Sequence, residues 1–93
     1  MTYTVVVTRE EDGRYTAVVP ALRDCASFGD TLPEALQNVE EAISLYVETL
    51  RDHGWPIPED TPAVSVDMSE AAEAFVYRLA VRVSEHSMEA ALA

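Results

Sequence analysis

A two-layer α+β fold in the order β-β-β-α-β is predicted by three features of the sequence. Two β-branched and aromatic runs are joined by Asp-Gly. One long amphipathic helix is bracketed by capping signals. A further Val- and aromatic-rich run lies near the C-terminus. With 93 residues the chain has the length of one domain with a modest core, so residues 1–93 are read as a single domain.

The first run, Tyr3 to Arg9, is rich in strand formers. Tyr3, Val5 and Val7 share one face, and Thr4, Val6 and Thr8 the other. Glu10-Glu11-Asp12-Gly13 is a polar turn ending in a hairpin signal. Tyr15 to Val19 returns as the second strand with Tyr15, Ala17 and Val19 toward the core. Pro20 ends it, because proline donates no ladder hydrogen bond. Ala21 to Ser27 reads as a loop, or as a loop running into a short third strand that Phe28 joins, with Gly29-Asp30-Thr31 closing it.

Thr31 and Glu34 have the spacing of a capping box, and Pro33 falls in the first turn, where its missing N–H costs little. From there to about Asp52 a stripe of Leu32, Ala35, Leu36, Val39, Ala42, Ile43, Tyr46 and Leu50 recurs at helical spacing. Gln37, Glu40, Glu41, Ser44, Glu48 and Arg51 fill the other face. The helix is roughly 30 Å long. Leu45 and Val47 lie off the stripe and are placed to extend a dimer surface. Gly54 is the expected C-terminal cap, and Trp55-Pro56-Ile57-Pro58 a stiff, extended exit.

Ala63 to Val66 has the composition of a short strand, and Ser69 to Ala74 that of a short helix. Phe75 to Val83 carries both a helical stripe and an alternating pattern; its Val and aromatic density favours a strand. Glu85 to Ala93 is a short helix or a frayed tail.

Seventeen Asp and Glu against six Arg, with no Lys, give a formal net charge of −11. Phosphate binding is driven by cations, so the chain is a poor nucleic-acid binder by itself and a natural match for a basic partner. Solubility and a salt-rich cytoplasm are the competing explanations of the same acidity. One Cys forms no internal disulfide, and no basic-then-apolar leader or ~20-residue apolar span is present, which points to the cytoplasm and no membrane.

Taken together, the ordered set of residues resembles the HicB-like antitoxins, partners of the small HicA ribonucleases. The resemblance runs through Asp12-Gly13-Arg14-Tyr15-Thr16-Ala17-Val18-Val19-Pro20-Ala21-Leu22, Cys25 and Gly29-Asp30-Thr31. It continues in Glu34-Ala35-Leu36, Asn38, Glu41-Ala42-Ile43, Tyr46 and Leu50, and ends in Gly54-Trp55-Pro56-Ile57-Pro58. It covers residues 3–58, with 59–93 as an extension. It implies a partial ribonuclease-H-like unit of three strands, a helix and a further strand. It also implies neutralisation of an mRNA-cleaving toxin, and dimers or larger oligomers. Gly13, Tyr15, Pro20, Cys25, Gly29, Asp30, Thr31, Gly54, Pro56 and Pro58 are its structural positions. Arg23-Asp24 stands where the family has Pro-Gly, so this loop is expected to turn differently. Leu79 to Val83 faintly echoes a ribbon-helix-helix strand, but 35 residues follow Pro58, too few for that motif's helices, so no DNA binding is expected from this chain alone.

A ribonuclease-H-like unit raises the question of a carboxylate cluster holding metal ions. Asp12, Asp24, Asp30 and Glu34 are the candidates. Asp12 reads better as a turn residue, Asp30 as a helix-dipole partner, and Glu34 as part of the cap. Cys25 lacks an activating base nearby in sequence, since the His residues are His53 and His86. No catalytic, cofactor or metal site is therefore assigned. Binding to a small basic toxin is assigned instead, through Asp24, Asp30, Glu40, Glu41 and Glu48, with Trp55 either a lid on the helix end or an interface anchor.

Overall fold

The computed structural model describes residues 1–61 and 71–81, except for the side chains of 71 and 72. Strand β1 (Thr2–Glu10) and strand β2 (Tyr15–Val18) pair antiparallel, from Val6 opposite Val18 to Arg9 opposite Tyr15. Between them the Gly13 N–H donates to the Glu10 carbonyl (3.0 Å) and the Glu10 N–H to that of Arg14 (2.8 Å). The Asp12 carboxylate accepts the Arg14 N–H at 3.0 Å. Gly13 has φ +90°, so the loop is a turn closed by a left-handed glycine, the three-residue hairpin geometry that Asp-Gly supplies.

After β2 the chain makes two consecutive turns, with the Leu22 N–H on the Val19 carbonyl and the Cys25 N–H on that of Leu22, both 3.0 Å. Asp24, third residue of the second turn, takes φ +61°. A Pro-Gly pair is suited to just this conformation, with proline second and a positive-φ glycine third. The expectation that Arg23-Asp24 turns the loop differently is therefore corrected. The hydrogen bond and left-handed residue are kept, because aspartate is among the few residues that tolerate that region.

Strand β3 (Ala26–Gly29) pairs with β2, Tyr15 opposite Gly29 through Val18 opposite Ala26. Helix α1 (Leu32–Asp52) follows, with Thr31 as N-cap accepting the Glu34 N–H through its hydroxyl at 3.2 Å. Gly29 lets the first turn of α1 sit against β3, since a Cβ there would lie 2.6 Å from the Ala35 nitrogen. At the far end the Trp55 N–H reaches the Leu50 carbonyl (2.9 Å) and the Gly54 N–H that of Arg51 (3.0 Å). Gly54 has φ +69°. This is a Schellman cap, and it folds the chain back over the last turn.

Strand β4 (Ala71–Ala80) runs antiparallel beside β1, giving the sheet order β3-β2-β1-β4. The run from Phe75 is a strand through Ala80. The helix expected over Ser69 to Ala74 is corrected over its described part, since Ala71 to Ala74 belong to β4. There β1 supplies nine residues' worth of ladder, whereas a helix would have to bury a face alone. The expected strand Ala63–Val66, the tail Glu85–Ala93 and the residues of the ribbon-like echo after Val81 lie outside the described residues.

The sheet has two unlike faces. Toward α1 it presents Tyr3, Val5, Val7, Ala17 and Val19, buried with Leu22, Cys25, Val39, Ile43 and Val47. Val47 corrects the expectation that it lies off the buried stripe: Val39, Ile43 and Val47 form a row at four-residue spacing, pressed on the sheet and fully buried. Leu45 is 66% exposed, as expected of a residue off the stripe. The opposite face carries Val6 between Val18 and Val76 in register, and the outer two are exposed. Among the described residues no helix is long and apolar enough to cross a membrane.

β2 stops at Val18, so the Thr4 N–H of β1 has no strand partner on that side. Asp60 fills the gap: one carboxylate oxygen accepts the Thr4 N–H and the other the Thr4 hydroxyl, both at 2.8 Å. Tyr3 donates to the Pro58 carbonyl at 2.6 Å, and Arg78 lies 3.9 Å from Asp60. Burial pushes the Asp60 carboxyl up, but the Thr4 and Thr61 hydrogen bonds and the Arg78 charge outweigh it and hold it below the usual range. Burial, and then the Asp60 charge, push the Tyr3 phenol up.

Candidate partner-binding surface

The amphipathic design of α1 decides what its outer flanks present. Gln37, Glu40, Glu41, Ser44 and Glu48 fall on one flank because they repeat at three and four residues. They line a shallow depression of about 390 Å³ together with Leu45. One strip further round, Ala42, Tyr46, Thr49 and Leu50 face the edge of β3 across a groove of about 490 Å³. Leu45 lines this groove as well. The groove's other wall is Asp24, Cys25 and Ala26, and Trp55 stands at its end. Its surface is mainly apolar. The Thr49 hydroxyl is turned inward onto the Leu45 carbonyl at 2.8 Å, which satisfies it within the helix.

Trp55 is set here by the Schellman cap, which returns it toward Leu50 at the position where such caps place a hydrophobic contact. Its ring stacks on His53, with centroids 4.3 Å apart and planes 14° from parallel, yet it remains 56% exposed. It therefore covers the helix end and also offers an aromatic face to solvent.

The β3 edge adds backbone groups. Because the Val19 N–H bonds the Cys25 carbonyl, Ser27 and Gly29 point their polar groups at β2, and Ala26 and Phe28 point theirs outward. The Asn38 amide takes the outward Phe28 carbonyl at 2.9 Å. Among the described residues nothing pairs with the Ala26 N–H and carbonyl or the Phe28 N–H, which lie on the outer edge of the sheet.

Of the residues assigned to partner binding, the structure brings Asp24 and Trp55 to the groove and Glu40, Glu41 and Glu48 to the adjoining depression, joined through Leu45. Asp30 lines neither; it is highly exposed beside Arg14 at 3.9 Å. Sequence reasoning places Leu45 on a dimer surface rather than at this junction, and it misses the β3 edge. Leu45 was legible as an exposed leucine between two flanks. The edge was not, since strand order is a tertiary fact.

The acids weighed as a metal cluster have local tasks: Asp12 caps its turn, and Asp30 lies by Arg14. Among the described residues no three His, Cys, Asp or Glu side chains gather as a metal ion needs. Cys25 is buried in the core, and burial pushes its thiol up, away from the reactive thiolate. His86 lies outside the described residues.

The family model described as the HicB-like antitoxin of bacterial toxin–antitoxin systems matches residues 3–90. A UPF0150 protein of Thermoplasma acidophilum is 50% identical over 60 residues, which are 64% of this chain and 87% of that protein. A UPF0150 protein of Synechocystis is 48% identical over 58 residues, 62% and 73% of the two chains. Among solved structures, the N-terminal domain of the Burkholderia pseudomallei antitoxin HicB is similar with a TM-score of 0.64 and 26% identity, over 88% of this chain and 99% of that one. A toxin–antitoxin complex from Streptococcus pneumoniae has a chain of the same fold, with a TM-score of 0.79 and 21% identity, over 92% and 71%. Hairpin, cap, helix and family match agree: the chain belongs to the HicB-like antitoxin family of bacterial toxin–antitoxin systems.

Proposed function

We propose that this domain neutralises a HicA-type, mRNA-cleaving toxin by covering the toxin's basic surface, without catalysis of its own. One observation carries the reading: the acidic flank of α1 and the apolar groove meet at Leu45, so charge and apolar area form one continuous surface. A protein that grips RNA presents cations to phosphates. Glu40, Glu41 and Glu48, backed by a net charge of −11, attract that surface, speed the encounter and compete with RNA. Asp24 and Trp55 border the same area, while Asp30 contributes to the general field. The fold match to structures of toxin–antitoxin complexes, one of them the complex of HicA3 with HicB3, supports a toxin partner. The outer edge of β4 and the exposed Val18 and Val76 support self-association of this domain as well, away from the β3 edge. Both partners are expected to meet in the cytoplasm, with neither DNA nor membrane involved.

The test is co-expression with the small protein encoded beside this chain's gene. The reading expects that protein to arrest growth alone and the arrest to be relieved by this chain. Reversing Glu40, Glu41 and Glu48 to Lys should slow association about tenfold or more at low salt. A neighbour that neither arrests growth nor binds would leave a HicB-like domain with a regulatory or scaffolding contact and no toxin. Unchanged binding after the triple reversal would remove the electrostatic account.

A further inference from the structure

We infer that the toxin is held by strand addition. A short extended segment of it pairs with the open edge of β3 at Ala26, seats an apolar side chain against Leu45 and Trp55, and turns cationic side chains toward Glu41 and Glu48. This rests on the antitoxin reading above and says how the contact is made.

Three observations converge on it. The Ala26 N–H and carbonyl and the Phe28 N–H lie along one exposed edge, the arrangement that an added strand completes. The groove runs directly beside that edge on the helix side of the sheet. Successive side chains of a strand point to opposite faces, so every second residue of an added strand would enter the groove. Finally, the groove shares Leu45 with the acidic depression, and among the described residues no Lys or Arg lines either one.

The same geometry limits the segment. Asn38 already holds the Phe28 carbonyl at 2.9 Å, and Asp24 turns the edge away with its φ of +61°. The ladder is therefore short, and the apolar groove and the acids must add what it cannot. The occupant is a basic segment and not a second copy of this chain, because a copy brings its own charge of −11 to an acidic rim.

The experiment uses the full chain and the purified toxin encoded beside its gene, with two variants and one direct readout. Ala26→Pro removes an outward N–H and leaves the β2 ladder untouched, as proline on a sheet edge does. Leu45→Arg places a cation at the meeting point of the two grooves. Each should weaken toxin binding about tenfold or more with unchanged thermal unfolding, and the Ala26 and Phe28 amides should exchange hydrogen more slowly in the complex. Should Ala26→Pro unfold the chain, Leu45→Arg and the exchange data decide alone. Wild-type affinity in the folded variants, or unprotected edge amides in the complex, overturns strand addition and leaves the antitoxin reading standing. Edge amides already protected in a homodimer of the free chain overturn it in favour of a second copy. A wild-type chain that fails to bind the toxin overturns both.

Discussion

Single residues in this domain answer to backbone geometry before they answer to function. Gly29 lies against the first turn of α1, where a methyl group would come 2.6 Å from the Ala35 nitrogen. The obstacle is backbone, so helix and strand must part. Gly29→Ala is expected to cost about 1–3 kcal/mol, read as a lower urea midpoint at an unchanged slope. Asp24 is the converse. It holds φ +61° at a cost of order 1 kcal/mol that glycine avoids. Asp24→Gly is expected to stabilise the fold by up to about 1 kcal/mol in the same assay, while removing one acid from the groove. Higher stability with weaker toxin binding would show that Asp24 is kept for contact. The Asp-Gly hairpin loop was legible because its chemistry is local. The strain at Asp24 was legible only in part: the position was recognisable as that of Pro-Gly, but two hydrogen-bonded turns in succession, not composition, impose the left-handed residue.

Among the elements, α1 shows how far periodicity carries. Its caps and three of its four buried apolar positions follow from spacing alone, and Thr31 and Gly54 mark its ends as expected. Val47 does not, because a stripe on a helix has a width, and only the sheet beneath decides which edge of it is pressed inward. The pair Val47 and Leu45 tests this. Val47→Ala should cost about 2 kcal/mol by leaving a cavity in a fully packed core. Leu45→Ala, at an exposed position, should stay within about 0.5 kcal/mol. Equal costs would mean that the helix is rotated from the position described. β4 shows the limit from the other side. The stretch from Ala71 has helix formers, yet it pairs residue by residue with β1 as far as a register shift between Arg9 and Glu10. Local propensity lost to a ladder already in place.

For the whole molecule, a polar latch between segments 56 residues apart does what the sheet alone does not. Asp60 closes the β1 edge that β2 leaves bare, so the exit from α1 is tied to the N-terminal strand. Its carboxyl is held below its ordinary value in the folded state. A depressed folded value means that this stabilisation is complete above the ordinary value of about 3.8 and is lost as pH falls through the lower folded one. Acid unfolding should therefore be less steep in Asp60→Asn, which keeps the size of the side chain and has no proton to take up there. The two proteins would be compared by urea unfolding at neutral pH and again below pH 4. An identical acid response would mean that Asp60 contributes nothing to the pH dependence.

The sequence by itself determined the α+β class, the hairpin, the limits of α1 and the acidity of its outer flank. Each of these is written in neighbours within about four residues, where turn chemistry, capping and helical period act. The tertiary structure decided the strand order, the burial of Val47, the latch on Asp60 and the meeting of groove and acids at Leu45. Those depend on which distant segments share a sheet, and no local pattern of side chains records that choice: it is made when the burial of β1 between β2 and β4 outweighs what each segment prefers alone.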